Sequence, residues 1–297
     1  MRYYIIPQLN HPSVRVKAYG TMGFFAKFGY VLEALLRMEA IMKETGEELI
    51  PYIDFETSPS TLRDETNNET KNEWEYCFIQ EDRHKVFGSP HMIMDASFYA
   101  GNYPDGQPKP TLKINPGGKN FNDKELVKGL GELIKKYFKV RPEVSDKLNN
   151  EIEKHKTLGV HCRRSELHLL HDNVALKYEN ETYFEKIMKV FEENGFEKIY
   201  LATEEIDIIN YFKEKIPDLL LYQEDCYRIL RHESPFQGAF RGIPRDKHFT
   251  LHAQEVLIDA INLSKCDSLL CGISGVSNGA TYINGLKYNN VFYFDEI

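Results

Sequence analysis

The chain has 297 residues, 42% hydrophobic and 28% charged, enough for one large core or two medium ones. Lys and Arg number 37 against 45 Asp and Glu, a formal charge of −8, which excludes the basic footprint that general nucleic-acid binding requires. The cysteines Cys77, Cys162, Cys226, Cys266 and Cys271 contain no Cys-x-x-Cys pair, so neither a disulfide framework nor a zinc knuckle is indicated.

Pro7 and Asn10 interrupt the opening segment before a signal-peptide core can form. No run of about 18 apolar residues occurs, so no spanning helix is expected. The expected compartment is the cytoplasm, or a peripheral place at the inner face of a membrane. In chain order, residues 28–45 have apolar side chains near the helical period and end at Gly46, which predicts a helix. Residues 49–54 predict a strand, with Pro51 pointing to a sheet edge or an irregular start. Residues 56–75 and 100–119 are turn-rich and predict long loops. Two charged helices are expected at 122–138 and 144–156, separated by Pro142.

The second half alternates more regularly. Strands are expected at 157–162, 198–203, 219–222, 267–271 and 291–294. Helices are expected at 181–194, 204–216, 250–264 and 277–286. Short strands separated by such helices predict a doubly wound parallel sheet. Such a sheet places its ligand outside the carboxyl ends of the strands. The residues there are polar: 161–166, 203–205, 224–225 and 272–278.

His161-Cys162-Arg163-Arg164 leaves an apolar strand, and an Arg at a strand end offers a rigid fork of donors to phosphate oxygens. A solvated surface pair is the plain alternative. Gly272-Ile273-Ser274-Gly275-Val276-Ser277-Asn278-Gly279 joins a strand to a helix and supplies backbone N–H groups for an anion, while Ser277 alone would serve as a cap. This is neither Gly-x-Gly-x-x-Gly nor a Walker loop, which removes support for hydride transfer and nucleoside-triphosphate hydrolysis. Glu204 and Glu205 either line the site or complement a helix dipole. Asp259 lies in the apolar run Val256-Leu257-Ile258-Asp259-Ala260-Ile261, where a carboxylate needs hydrogen-bond donors. They come either from a guanine or ribose group, or from a backbone N–H or an Arg. The loop 231–247 is cationic, with Arg231, Arg241, Arg245 and Lys247. His168-x-x-His171-Asp172 and His248-x-x-x-His252 have metal-ligand spacing but no clear third ligand, so no metal is expected.

Four motifs then stand in order: Gly159-Val160-His161-x-Arg163-Arg164, Tyr200-Leu201-Ala202-Thr203-Glu204-Glu205, Leu257-Ile258-Asp259-Ala260-x-x-Leu263-Ser264-x-Cys266-Asp267, and the Ser-rich turn. This order resembles the GDP-fucose-dependent fucosyltransferases, in style the α1,6-fucosyltransferases and nodulation fucosyltransferases with their bacterial relatives. Asn72-Glu73-Trp74-Glu75-Tyr76 also looks like bacterial members.

The resemblance implies an α/β, GT-B-like fold of two Rossmann-type halves. It implies an acceptor-side domain over 1–156 and a nucleotide-sugar-binding domain over 157–297. It further implies a metal-independent inverting glycosyltransferase without a cofactor. A GDP-sugar, by the likeness GDP-fucose, would be the donor, and a glycan, free or lipid-linked, the acceptor in polysaccharide biosynthesis. By the same likeness Arg163 or Arg164 holds the β-phosphate, and His161 and Asp259 contact the guanosine with Glu204 and Glu205 nearby. Ser274, Ser277 and Asn278 lie in the turn beside the diphosphate, and Glu166 is the candidate general base. Ser165-Glu166 and Glu204-Glu205 depart from the family's Thr-Asp and Asp pair. Transfer of a heptosyl or phosphoryl-type group, or non-catalytic binding of a nucleotide or glycan, are the competing functions.

Overall fold

The computed structural model describes residues 13–17, 24–46, 48–54, 72–80, 91–95, 114, 119–163, 178–230 and 245–297. Two parallel sheets organise these residues. In the first, strand β1 (Ser13–Lys17) lies between β2 (Ile50–Asp54) and β4 (His91–Asp95), parallel to both. Helix α1 (Phe24–Thr45) begins four residues before the expected start, and Gly46, at φ 72°, follows its end. Its buried face carries Phe28, Val31, Leu32, Leu35 and Met38, the helical spacing read from the sequence. Among the described residues β2 stands at the sheet edge, one of the two places that Pro51 suggested.

A short antiparallel pair, β3 (Phe78–Ile79) and β5 (Lys139–Val140), lies beside helix α2 (Lys124–Tyr137). The helix expected over 144–156 does not form as one piece. Pro142 opens a single turn, α3 (Pro142–Ser145), and a separate 3-10 turn spans Ile152–Lys154. Between them the Asn149 N–H donates to Asn262 Oδ1 at 3.0 Å, and the Glu151 N–H donates to Asn149 Oδ1 at 2.9 Å. These side-chain acceptors replace the helical carbonyls and stop propagation.

The second sheet contains β6 (Thr157–Cys162), β7 (Lys198–Thr203), β8 (Leu220–Leu221), β9 (Ser268–Cys271) and β10 (Asn290–Tyr293). Their spatial order is β10-β9-β6-β7-β8, all parallel. The order reverses between β6 and β9, which is the switch point where such sheets bind ligands. Helices α4 (Asn180–Asn194) and α5 (Ile206–Lys215) join β6 to β7 and β7 to β8; α6 (His248–Ser264) and α7 (Gly275–Asn284) flank β9 in the chain. Gly195 ends α4 in the left-handed region at φ 60°, as its position predicted.

Strand alternation sorts the core into two layers. Leu158, Val160, Cys162, Ile199, Leu201 and Leu270 pack with Tyr183, Ile187, Ile208 and Phe212 of α4 and α5. Tyr200, Ala202, Leu269 and Cys271 face the other way, into an apolar cluster that also contains α6, α7, α1 and α2 residues. That second cluster crosses position 156 without a break, because α7 packs against both α1 and α2. A Cβ at Gly131 of α2 would stand 2.9 Å from Gly285 Cα, so the backbones of α2 and the end of α7 meet closely.

Candidate functional site at the strand ends

Three segments meet at the carboxyl edge of the second sheet. The first is the end of β6. His161 is the register partner of Cys271 on β9, so it stands at the switch point itself. It is 7% exposed, and its Nδ1 lies 3.3 Å from Ser274 Oγ across that point. Burial, with the charge of Arg163 adding, pushes the imidazole down to about 3. His161 is therefore a neutral hydrogen-bonding group at physiological pH. Alternation puts Arg163, two residues on, at the same face. Its Nε is buried with no hydrogen-bond partner among the described residues.

The second segment is the turn into α7. The N-cap is Ser274 rather than Ser277, and the helix starts two residues before the expected position. Ser274 Oγ accepts from the Ser277 N–H at 3.1 Å, and Ser277 Oγ accepts from the Ser274 N–H at 3.0 Å. This reciprocal capping box, closed by a bond from the Ser277 hydroxyl to Gly272 O at 2.7 Å, fixes the turn. Ser277 is 2% exposed and its hydroxyl is spent inside the turn, whereas Ser274 reaches His161. Asn278, 8% exposed, donates its N–H to Ser274 O at 3.0 Å. The first N–H groups of α7 have no intrahelical acceptor and carry the positive end of the helix dipole.

The third segment follows β7. Glu205 is 1% exposed and caps α5, its N–H donating to Thr203 Oγ1 at 3.2 Å. Glu204 Oε2 is buried without a hydrogen-bond partner among the described residues. Asp259, on α6, accepts a 2.6 Å bond from the Tyr200 hydroxyl, which in turn accepts from Asn262 Nδ2 at 2.9 Å. The partner found is thus a tyrosine, neither the backbone N–H nor the Arg expected in the plain alternative. Burial raises the Asp259 carboxyl to about 7; the Tyr200 bond and the charge of Arg228 oppose the rise, and Glu255 and Glu204 add to it.

Arg228 and Gln223 belong to none of the sequence motifs. Arg228 Nε and Gln223 Oε1 are buried without hydrogen-bond partners among the described residues, as are Arg245 Nε and His252 Nδ1. Arg245 forms a two-pronged pair with Glu255, at 2.7 and 2.6 Å. His248 and His252 stack with ring centroids 5.7 Å apart, and among the described residues no group of three metal-ligating side chains gathers. Arg164, Ser165, Glu166, the His168-x-x-His171-Asp172 segment, the glycines from Gly20 to Gly23 and most of the cationic loop 231–247 lie outside the described residues.

No family model matches this chain, and no curated protein matches it in sequence. Among solved structures it is similar to the fucosyltransferase NodZ from Bradyrhizobium, at 16% identity over 98% of this chain and 97% of that one, with a TM-score of 0.49. It is also similar to the NodZ alpha-1,6-fucosyltransferase co-crystallized with GDP, at 16% identity, 98% and 96% coverage and a TM-score of 0.48. A third likeness is to POFUT1 in complex with GDP-fucose, at 11% identity, 96% and 98% coverage and a TM-score of 0.48.

Proposed function

We propose that this chain is a glycosyltransferase that uses a GDP-sugar, GDP-fucose by the motif resemblance, and transfers the sugar with inversion to a glycan acceptor. The observation that carries the proposal is the convergence at the switch point of His161, the Arg163 guanidinium and the Ser274-capped start of α7. A buried neutral imidazole, a guanidinium with an unused donor and a helix N-terminus make a site for a dianionic leaving group.

In this proposal the bond from the sugar's anomeric carbon to the β-phosphate oxygen breaks, and its electron pair leaves with GDP. Arg163 and the first N–H groups of α7 offset the charge that builds on that oxygen, without a divalent ion. Arg164 shares that role. The acceptor hydroxyl oxygen forms the new bond to the anomeric carbon, and its proton passes to a base, for which Glu166 is the candidate. His161, Asp259 and Glu204 face the nucleoside, with Glu205, Ser277 and Asn278 holding the turns that present them. The domain division at 156/157, a role in polysaccharide biosynthesis and a cytoplasmic or inner-membrane-face location belong to the same proposal.

Isothermal calorimetry with GDP in the presence of a chelator tests the reading. GDP binding without metal is expected, with a loss of about 10- to 100-fold for Arg163→Ala, since one charged hydrogen-bond donor is removed. Equal binding by wild type and variant rejects the assigned role of Arg163. Product release across a panel of GDP-, UDP-, CDP- and ADP-sugars then separates the GDP-sugar reading from transfer of another group, and binding without turnover on any acceptor would favour a non-catalytic module.

A further inference from the structure

Arg228 belongs to none of the motifs above, yet its position is fixed by two backbone bonds. The Ile206 N–H donates to Ile229 O at 3.0 Å, and the Ile229 N–H donates to Glu204 O at 2.8 Å. Glu205 and Ile229 are therefore parallel register partners, which makes Glu204 and Arg228 neighbours across the same bridge. Opposite charges so placed normally pair. Here no ion pair joins them, and Glu204 Oε2 and Arg228 Nε are each buried without a hydrogen-bond partner among the described residues.

The surroundings hold Arg228 in place and leave its Nε unused. Arg228 Nη2 donates to Gln223 O at 2.6 Å, and the guanidinium lies 5.7 Å from the centre of the Tyr222 ring. The nearby Glu255 is occupied by Arg245. Asp259 Oδ1 is occupied by Tyr200. A buried acceptor and a buried donor, adjacent and unpaired, fit a planar ligand edge that carries donors next to an acceptor. Guanine has such an edge, with N1–H and the 2-amino group beside O6. A phosphate does not fit, because the Glu204 carboxylate would repel it.

We propose that Glu204 and Arg228 together read the guanine edge, Glu204 accepting from N1–H and the 2-amino group and Arg228 donating to O6. Arg228 is then a specificity-determining residue of the site. This inference rests on the GDP-sugar reading of the preceding subsection.

Equilibrium binding of guanosine, GMP, GDP and IDP to the full chain tests it. Arg228→Met is expected to weaken guanosine, GMP and GDP by one common factor of about 10 to 100, the effect of removing a charged donor. Glu204→Gln is expected to bring the wild-type preference for GDP over IDP, which lacks the 2-amino group, towards unity. Glu204 Oε2 has no hydrogen-bond partner among the described residues to lose, so this second variant does not depend on how Arg228→Met folds. Loss of GDP with guanosine spared would place Arg228 on a phosphate and overturn the inference. Unchanged binding of all ligands, or an undiminished GDP-over-IDP preference in Glu204→Gln, overturns it as well. Failure of the wild-type chain to bind GDP overturns instead the reading on which it rests.

Discussion

Gly279 stands in α7 against Phe25 of α1, and a methyl group there tests how tightly the two helices meet. A Cβ at Gly279 would lie 2.4 Å from Phe25 Cε1 and 2.5 Å from Cδ1. The Phe25 ring has nowhere to turn, being 6% exposed, edge-on to Phe24 at 5.5 Å and tilted against Phe28 at 5.2 Å. Gly279→Ala gains about 1 kcal/mol of helix propensity. Overpacking of this kind costs about 1–3 kcal/mol, so the net loss is about 1 kcal/mol. In a Phe25→Ala background the obstacle is gone, and the same Gly279→Ala substitution should stabilise by up to about 1 kcal/mol. Urea denaturation of the four chains measures both steps. A Gly279→Ala cost of the same size in both backgrounds would refute the contact as the cause.

Asp259 has a raised folded-state pKa, so the stability it contributes is present below about pH 4 and is lost as pH rises through about 7. Asp259→Asn, whose amide oxygen can still accept from Tyr200, should gain on wild type by up to about 4 kcal/mol across that window at 1.36 kcal/mol per unit; a constant difference between the two chains from pH 4 to 8 would contradict the assignment. His161 has the opposite sign: with its pKa depressed to about 3, its contribution is present above about pH 6.5 and lost as pH falls towards 3. His161→Gln should therefore flatten the acid limb of the stability profile, as followed by thermal melting at a series of pH values. Finally, the Gln80 side chain pairs with edge strand β2, its Oε1 accepting from the Ile53 N–H and its Nε2 donating to Ile53 O, both at 3.0 Å. Gln80→Ala should cost about 1–3 kcal/mol by leaving the Ile53 N–H unpaired, while Ile53 O keeps its 2.7 Å bond from Asn72 Nδ2, and light scattering should show more self-association through the opened edge; unchanged stability and scattering would count against this role.

The second half was legible because its signals are local. Apolar runs of strand length, glycine after a helix and polar residues after each strand need only a few neighbouring residues to be read, and they located β6, β7, β9, α4 and α6 to within a few positions. The same locality identified His161 and Arg163 as strand-end groups. The helix expected over 144–156 failed for a reason invisible to periodicity, since it is interrupted by Asn262, more than 110 positions away. Ser277 was a reasonable cap by type, but Ser274 fits the turn that β9 and α7 together impose.

What the sequence determined by itself is the α/β class, the parallel character of the second sheet and the strand ends at which its polar groups gather, because these follow from hydrophobic period and residue type. What only the tertiary structure decided is which of those groups face one another. The switch point brings Ser274 to His161, packing across the sheet gives the Asp259 carboxylate to Tyr200, and one bridge between Glu205 and Ile229 sets Arg228 beside Glu204. Those pairings join residues 24 to 113 positions apart, and no local pattern records a distance that the chain closes only when its sheets form.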